Sequence, residues 1–245
     1  MRLCTPGFPR NSTNYIRSFA LLLLHYRVTF CGKEELGSDM TQKLLTKQNE
    51  YVDDVLDMKA LPKRGNRWSR AFAHGLMSIF GWRIEGIPPN VSKAIFIGAP
   101  HTSNWDFLLS IGTIFAFGLR ISWMAKHTFV DGPGKRLWHW LGGIPVDRRA
   151  KHGAVGEIVE AYNSREQLLI AITPEGTRNG SKGWKSGFYY IAMGANIPVV
   201  PIVFDYEHKT VRILELFMPT GDKEQDIAFL QSLYKDVKGK YPHDW

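Results

Sequence analysis

The chain has 245 residues, 44% of them hydrophobic and 13% aromatic, which suffices for a packed core and excludes a wholly disordered chain. Lys and Arg outnumber Asp and Glu by 31 to 23. That excess favours an anionic partner: a membrane surface, a phosphorylated small molecule or nucleic acid. The two cysteines, Cys4 and Cys31, argue against a disulfide framework, and their spacing fits no cysteine metal site.

Residues 1–57 read as an N-terminal extension, irregular at "TPGFPRNSTN" and polar at "MTQKLLTKQNEYVDDVLDM". Met40 and Met58 are alternative start residues, and a pair of N-terminal helices is the competing reading. The apolar stretch "SFALLLLHY" is too short to cross a bilayer and has no small-residue cleavage site after it. Residues 58–245 read as one domain. Its first element, "RWSRAFAHGLMSIFGW", has apolar residues at helical spacing behind Lys63, Arg64, Arg67 and Arg70. This predicts an amphipathic helix over 67–82 with a cationic entry, suited equally to a membrane surface or to the core.

Strands are predicted at "AIFIGA", "ISWMA", "IPVD", "LLIAIT", "IPVVPIVFD" and "VRILEL". Helices are predicted between them, over 104–118, 133–141, 152–163, 185–194 and 222–238. Several strands are apolar on both faces, as in a covered sheet. The fold class is therefore α/β: a single, mostly buried sheet flanked by helices.

The stretch "APHTSNWD" joins a predicted strand to a predicted helix. On a continuous helix, His101 and Asp106 would point well apart, because five residues turn far past one face. They can meet if the helix begins after the histidine. Pro100 disfavours helical backbone at Ala99, and Thr102, Ser103 and Asn104 are all good N-cap residues. Asp106 then sits in the first turn, favoured by the helix dipole, and can reach back to one ring nitrogen of His101. The other nitrogen is left to take a proton from a substrate hydroxyl. For the spacing alone the plainer reading is a turn histidine and a capping aspartate, since H-x-x-x-x-D is short and common. Ser103 reads as a cap rather than a nucleophile, because side chains two apart diverge. A metal site using His127 or His139 has no tight ligand cluster behind it.

The second unusual stretch is "AITPEGTRNG", in which a buried strand runs into Pro174-Glu175-Gly176-Thr177-Arg178. Gly176 permits a tight turn, and Arg178 offers a planar, permanent cation suited to phosphate. Loops at strand carboxyl ends are where α/β folds place ligands. Alone, this could equally be a polar turn with a surface ion pair.

Together the blocks are more specific. His101…Asp106, then Gly142 and Arg148 in "GGIPVDR", then "PEGTR", then Pro198 and Pro201 in "IPVVPI" follow one another over roughly residues 82–204. This order resembles the glycerophospholipid acyltransferase superfamily, the 1-acylglycerol-3-phosphate acyltransferase group. The resemblance implies a metal-free O-acyltransferase of phospholipid biosynthesis with no bound cofactor. Acyl-CoA or acyl carrier protein would be the thioester donor, and a lysophospholipid the acceptor. It implies that His101 is the base and Asp106 its orienting group. Glu175, Gly176, Thr177 and Arg178, with Arg148, would hold the acceptor, the two arginines at its phosphate. It also implies peripheral association with the cytoplasmic face of a membrane. Two departures are Trp105, beside Asp106, and Thr173 before the "PEGTR" proline. Another lysolipid acceptor, or a non-catalytic membrane-binding relative, stays open on these residues. Nucleic acid is disfavoured, because the basic residues are scattered and no recognition motif is present.

Overall fold

The computed structural model describes residues 58–146, 153–176 and 183–241. The predicted extension over 1–57 lies outside the described residues, as do Arg148, Thr177 and Arg178.

Helix α1 (Arg67–Ile79) opens on an Asn66–Ser69 capping box. Strand β1 (Arg83–Glu85) follows, then β2 (Lys93–Ala99), helix α2 (Trp105–Phe117) and β3 (Ile121–Lys126). Two short helices, α3 (His127–Val130) and α4 (Lys135–Trp140), precede β4 (Gly143–Val146). Helix α5 (Gly153–Asn163), β5 (Leu168–Ile172), α6 (Gly187–Ala195), β6 (Val199–Asp205), β7 (Thr210–Ile213) and α7 (Lys223–Ser232) complete the described elements. Gly118, in the left-handed region at φ 63°, ends α2, where a side chain would be strained.

All seven strands form one sheet in the order β1-β7-β6-β2-β5-β3-β4. The five strands from β6 to β4 are mutually parallel; β7 is antiparallel to β6, and β1 is parallel to β7. The buried alternation of β2 explains its central place. Ile95 and Ile97 enter one core with Tyr162, Phe188 and Leu230 from α5, α6 and α7. Ala94 and Phe96 enter another with Phe117 of α2. Each fully buried Ile or Phe side chain contributes about 1.5–3 kcal/mol relative to leaving it in water.

The predicted elements are found, with shifted ends. The 67–82 helix stops at Ile79, and Trp82 instead packs edge-on against Tyr206, with ring centroids 4.9 Å apart. The 222–238 helix stops at Ser232, because the chain turns there to bury Tyr234, whose hydroxyl donates to the Ile97 carbonyl. The amphipathic α1 uses both of its faces. Ala73, Gly75 and Met77 are buried, and Met77 lies so close to Gly112 of α2 that a side chain there would collide with its sulfur. Trp68, Phe72, Leu76, Ile79 and Phe80 are exposed at intervals that keep them on one stripe. Of the four basic residues at the cationic entry, Arg64 is committed to packing. Its guanidinium lies 4.3 Å from the Trp140 ring centroid and donates to the Trp140 carbonyl.

Candidate active site

The sheet order decides which loops meet. Strand β2 pairs with β6 on one side and β5 on the other, all parallel, so their carboxyl ends lie side by side. The loop after β2 carries His101, the loop after β5 carries Glu175 and Gly176, and Tyr206 follows β6 directly. Three sequence-distant segments thus converge at the sheet edge where α/β folds place ligands.

Asp106 is only 1% exposed and is surrounded by donors. Its Oδ2 accepts the backbone N–H groups of Thr102 and Ser103 at 2.8 and 2.7 Å. Its Oδ1 accepts the hydroxyls of Tyr206 at 2.5 Å and Ser103 at 3.1 Å. Ser103 Oγ also accepts the Trp105 N–H at 3.2 Å, so Ser103 caps the helix as expected, whereas Asn104 makes no side-chain cap. Burial is the largest influence on the Asp106 carboxyl and opposes its ionisation. The contacts from His101, Tyr206 and Ser103 together outweigh it and hold the group below the usual carboxylate range.

His101 Nδ1 lies 3.2 Å from Asp106 Oδ2, so the predicted partners meet. The distance is that of an ion pair, but the N–H is not aligned for a hydrogen bond. Such bonds are commonly loose before substrate binds. Facing a carboxylate favours the proton on Nδ1 and leaves the Nε2 lone pair available. The side chain is 18% exposed while Nδ1 is buried, so the accessible part of the ring lies away from Asp106.

Glu175 belongs to the same cluster but faces the protein. It is 4% exposed, and its Oε1 accepts the His101 backbone N–H at 2.8 Å. Burial pushes its carboxyl up to about 7, against the hydrogen bond and the charge of His101, while the Asp106 charge adds to the rise. The neutral acid is therefore favoured in the fold. Its stabilising contribution is fully present below the ordinary value of 4.5 and is lost as pH rises through about 7. Glu175→Gln is accordingly expected to gain stability over the native protein between about pH 4 and pH 9, by about 2 kcal/mol. Urea unfolding of both proteins across that range checks this, and curves that stay parallel would contradict it.

Gly176 takes φ 67°, and a side chain there would also press on Lys185, whose Cδ and Nζ a Cβ would approach to 3.0 Å. The Lys185 N–H donates to the Pro174 carbonyl at 2.8 Å, which ties the start of α6 to this turn. Lys185 and Tyr206 were not among the sequence candidates. The signal for Tyr206 was its place one residue past a buried parallel strand. Trp105 is half-exposed, and the Lys240 ammonium lies 4.6 Å from its ring centroid. Among the described residues no cluster of metal-ligating side chains is present, and no helix is long and apolar enough to cross a membrane.

Residues 83–205, half of the chain, match the family model described as Acyltransferase. The 1-acyl-sn-glycerol-3-phosphate acyltransferase of Haemophilus influenzae is 27% identical over 149 residues, which are 56% of this chain and 60% of that protein. The human 1-acyl-sn-glycerol-3-phosphate acyltransferase beta is 24% identical over 196 residues, 70% of this chain and 69% of that one. The chain thus spans little more than half the length of the bacterial relatives it matches. A crystal structure of the 1-acyl-sn-glycerophosphate acyltransferase PlsC from Thermotoga maritima is 15% identical and aligns over 93% of each chain, with a TM-score of 0.46. The matched stretch contains both motif blocks and the three strands that bring them together, and the chain belongs to the Acyltransferase family.

Proposed function

We propose that residues 58–245 form a catalytic domain that transfers a fatty acyl group from a thioester to the hydroxyl of a lysophospholipid such as 1-acylglycerol-3-phosphate. The observation that carries this reading is the His101–Asp106 pair, with its carboxylate buried and its ring partly open at a strand carboxyl end. The names of the bacterial and human relatives support the acceptor. In the reaction, His101 Nε2 takes the acceptor's hydroxyl proton as the oxygen attacks the thioester carbonyl carbon. The tetrahedral intermediate collapses with cleavage of the C–S bond, and His101 returns the proton to the departing thiolate. Asp106 stays ionised and stabilises the imidazolium formed in between. No protein nucleophile and no metal are required by this chemistry. The donor is acyl-CoA or acyl carrier protein. Gly176, Thr177 and Arg178, with Arg148, hold the acceptor, and Glu175 orders the loop that carries His101.

Purified protein given acyl-CoA and 1-acylglycerol-3-phosphate is expected to release free thiol and form the diacyl product in equal amounts. Thiol release without diacyl product would point to thioester hydrolysis and sink the proposal. Equal rates with an acceptor lacking phosphate would move the acceptor to another lysolipid.

The domain works peripherally on the anionic cytoplasmic face of a membrane. The exposed apolar stripe of α1 and its neighbouring cations support this, since such a helix settles at the headgroup boundary. Replacing Trp68, Phe72 and Ile79 together by Ser is expected to weaken binding to phosphatidylglycerol-containing vesicles about tenfold or more. These side chains are exposed, so the fold should hold its melting temperature. Unchanged co-sedimentation with the vesicles would count against the membrane reading.

A further inference from the structure

Tyr206 is one residue beyond the stretch matched by the family and follows β6 directly. Its hydroxyl donates to Asp106 Oδ1 at 2.5 Å and lies 3.3 Å from Ser103 Oγ. Two further contacts and the strand before it leave it little freedom. Its ring meets Trp82 edge-on, its backbone N–H donates to the Lys238 carbonyl at 3.0 Å, and β6 fixes the chain just before it. Burial, reinforced by the Asp106 carboxylate, holds the phenol above its usual value, so toward Asp106 it is a donor.

The carboxylate torsion of an aspartate is broad and roughly two-fold, so donors on one oxygen alone fix its plane weakly. The Thr102 and Ser103 N–H groups hold Oδ2, the oxygen that faces His101. Ser103 also donates to Oδ1, but at 3.1 Å, against 2.5 Å for Tyr206, it is the longer contact. The hydroxyl that fixes the far oxygen comes from the residue that follows the neighbouring strand β6, which ties the orientation of the carboxylate to the sheet.

We propose that Tyr206 is a positioning residue for acyl transfer: its hydroxyl locks the Asp106 carboxylate so that Oδ2 stays directed at the His101 ring. It does not touch the reacting atoms, and it acts through Asp106 alone. This rests on the proposal that His101 is the base.

Tyr206→Phe tests it, because the ring and its contact with Trp82 are kept while the hydroxyl is lost. With acyl-CoA and 1-acylglycerol-3-phosphate, kcat is expected to fall about tenfold. Both KM values should stay within about twofold, because substrate binding is untouched. The same change made in Asp106→Asn protein should lower kcat no further, since the charged partner through which it acts is already gone. A native kcat in Tyr206→Phe overturns the proposal, as does an equal, additive loss in the double variant. Failure of Tyr206→Phe to fold, or a rise in both KM values at unchanged kcat, assigns the residue to the fold or to binding and overturns it too. His101→Ala, assayed alongside, separates the two claims. If it turns over at the native rate, the base assignment falls. If it is inactive while Tyr206→Phe is native, only the role of Tyr206 falls.

Discussion

Replacing His101 by Ala is expected to lower kcat about a thousandfold, within the range by which a placed general base accelerates proton transfer. Both KM values should change little, because the interaction removed is one made in the transition state. Neither of the two described carboxylates beside it can take over. Asp106 is buried and held ionised by four hydrogen bonds, so it is a weak base with no access to the acceptor. Glu175 is nearer in basicity, with its carboxyl pushed up to about 7, but its Oε1 is engaged by the His101 amide and the residue is 4% exposed. The fold should tolerate the change, since the His101 side chain meets its partner at an ion-pair distance without an aligned hydrogen bond. Steady-state kinetics with a thiol-detecting assay, paired with thermal unfolding, checks both halves. Added imidazole should restore part of the lost rate. Activity within about tenfold of native, with the fold intact, would show that another group takes the proton.

The strands and most helices are readable in the chain because local signals encode them. Runs such as "AIFIGA" and "LLIAIT" are short, apolar on both faces and bounded by turn residues, which suits only covered strands. Three-residue β1 and four-residue α3 carry too few residues for a period to register, and they are held by tertiary contacts instead. Sheet order is not local at all. That β2 lies between β5 and β6 is decided by which faces bury against which helices, and this is what brings the loops of the site together. The same division runs through the site. His101 and Asp106 were recognisable because capping chemistry and the helix start relate them within five residues. Glu175 was recognisable as a motif residue, but its bond to the His101 amide joins loops that meet only in the sheet. Tyr206 lies a hundred residues from Asp106, and no spacing announces a partner at that separation.

Asp106→Asn separates catalysis from capping at the one position where both readings of the motif coincide. An amide has one acceptor oxygen and one donor NH2. In the favourable orientation its oxygen keeps the Thr102 and Ser103 N–H groups, and its NH2 turns to the hydroxyls of Ser103 and Tyr206, which can accept as well as donate. The cap survives, so the loss of stability should be modest, about 1 kcal/mol. What disappears is the negative charge facing Nδ1, and with it the stabilisation of the imidazolium formed during proton transfer. The expected loss in kcat is accordingly about a hundredfold or more. Asp106→Ala makes the contrast. It strands two buried backbone N–H groups as well, and should lose about 3 kcal/mol of stability along with the activity. Kinetics and urea unfolding of the two variants side by side decide the matter. If Asp106→Asn retained kcat within about threefold of native, Asp106 would be a helix cap and nothing more, and His101 would work without an orienting charge. If it loses the rate while keeping the fold, the carboxylate is there for the proton, and the four donors around it hold its charge in place beside the base.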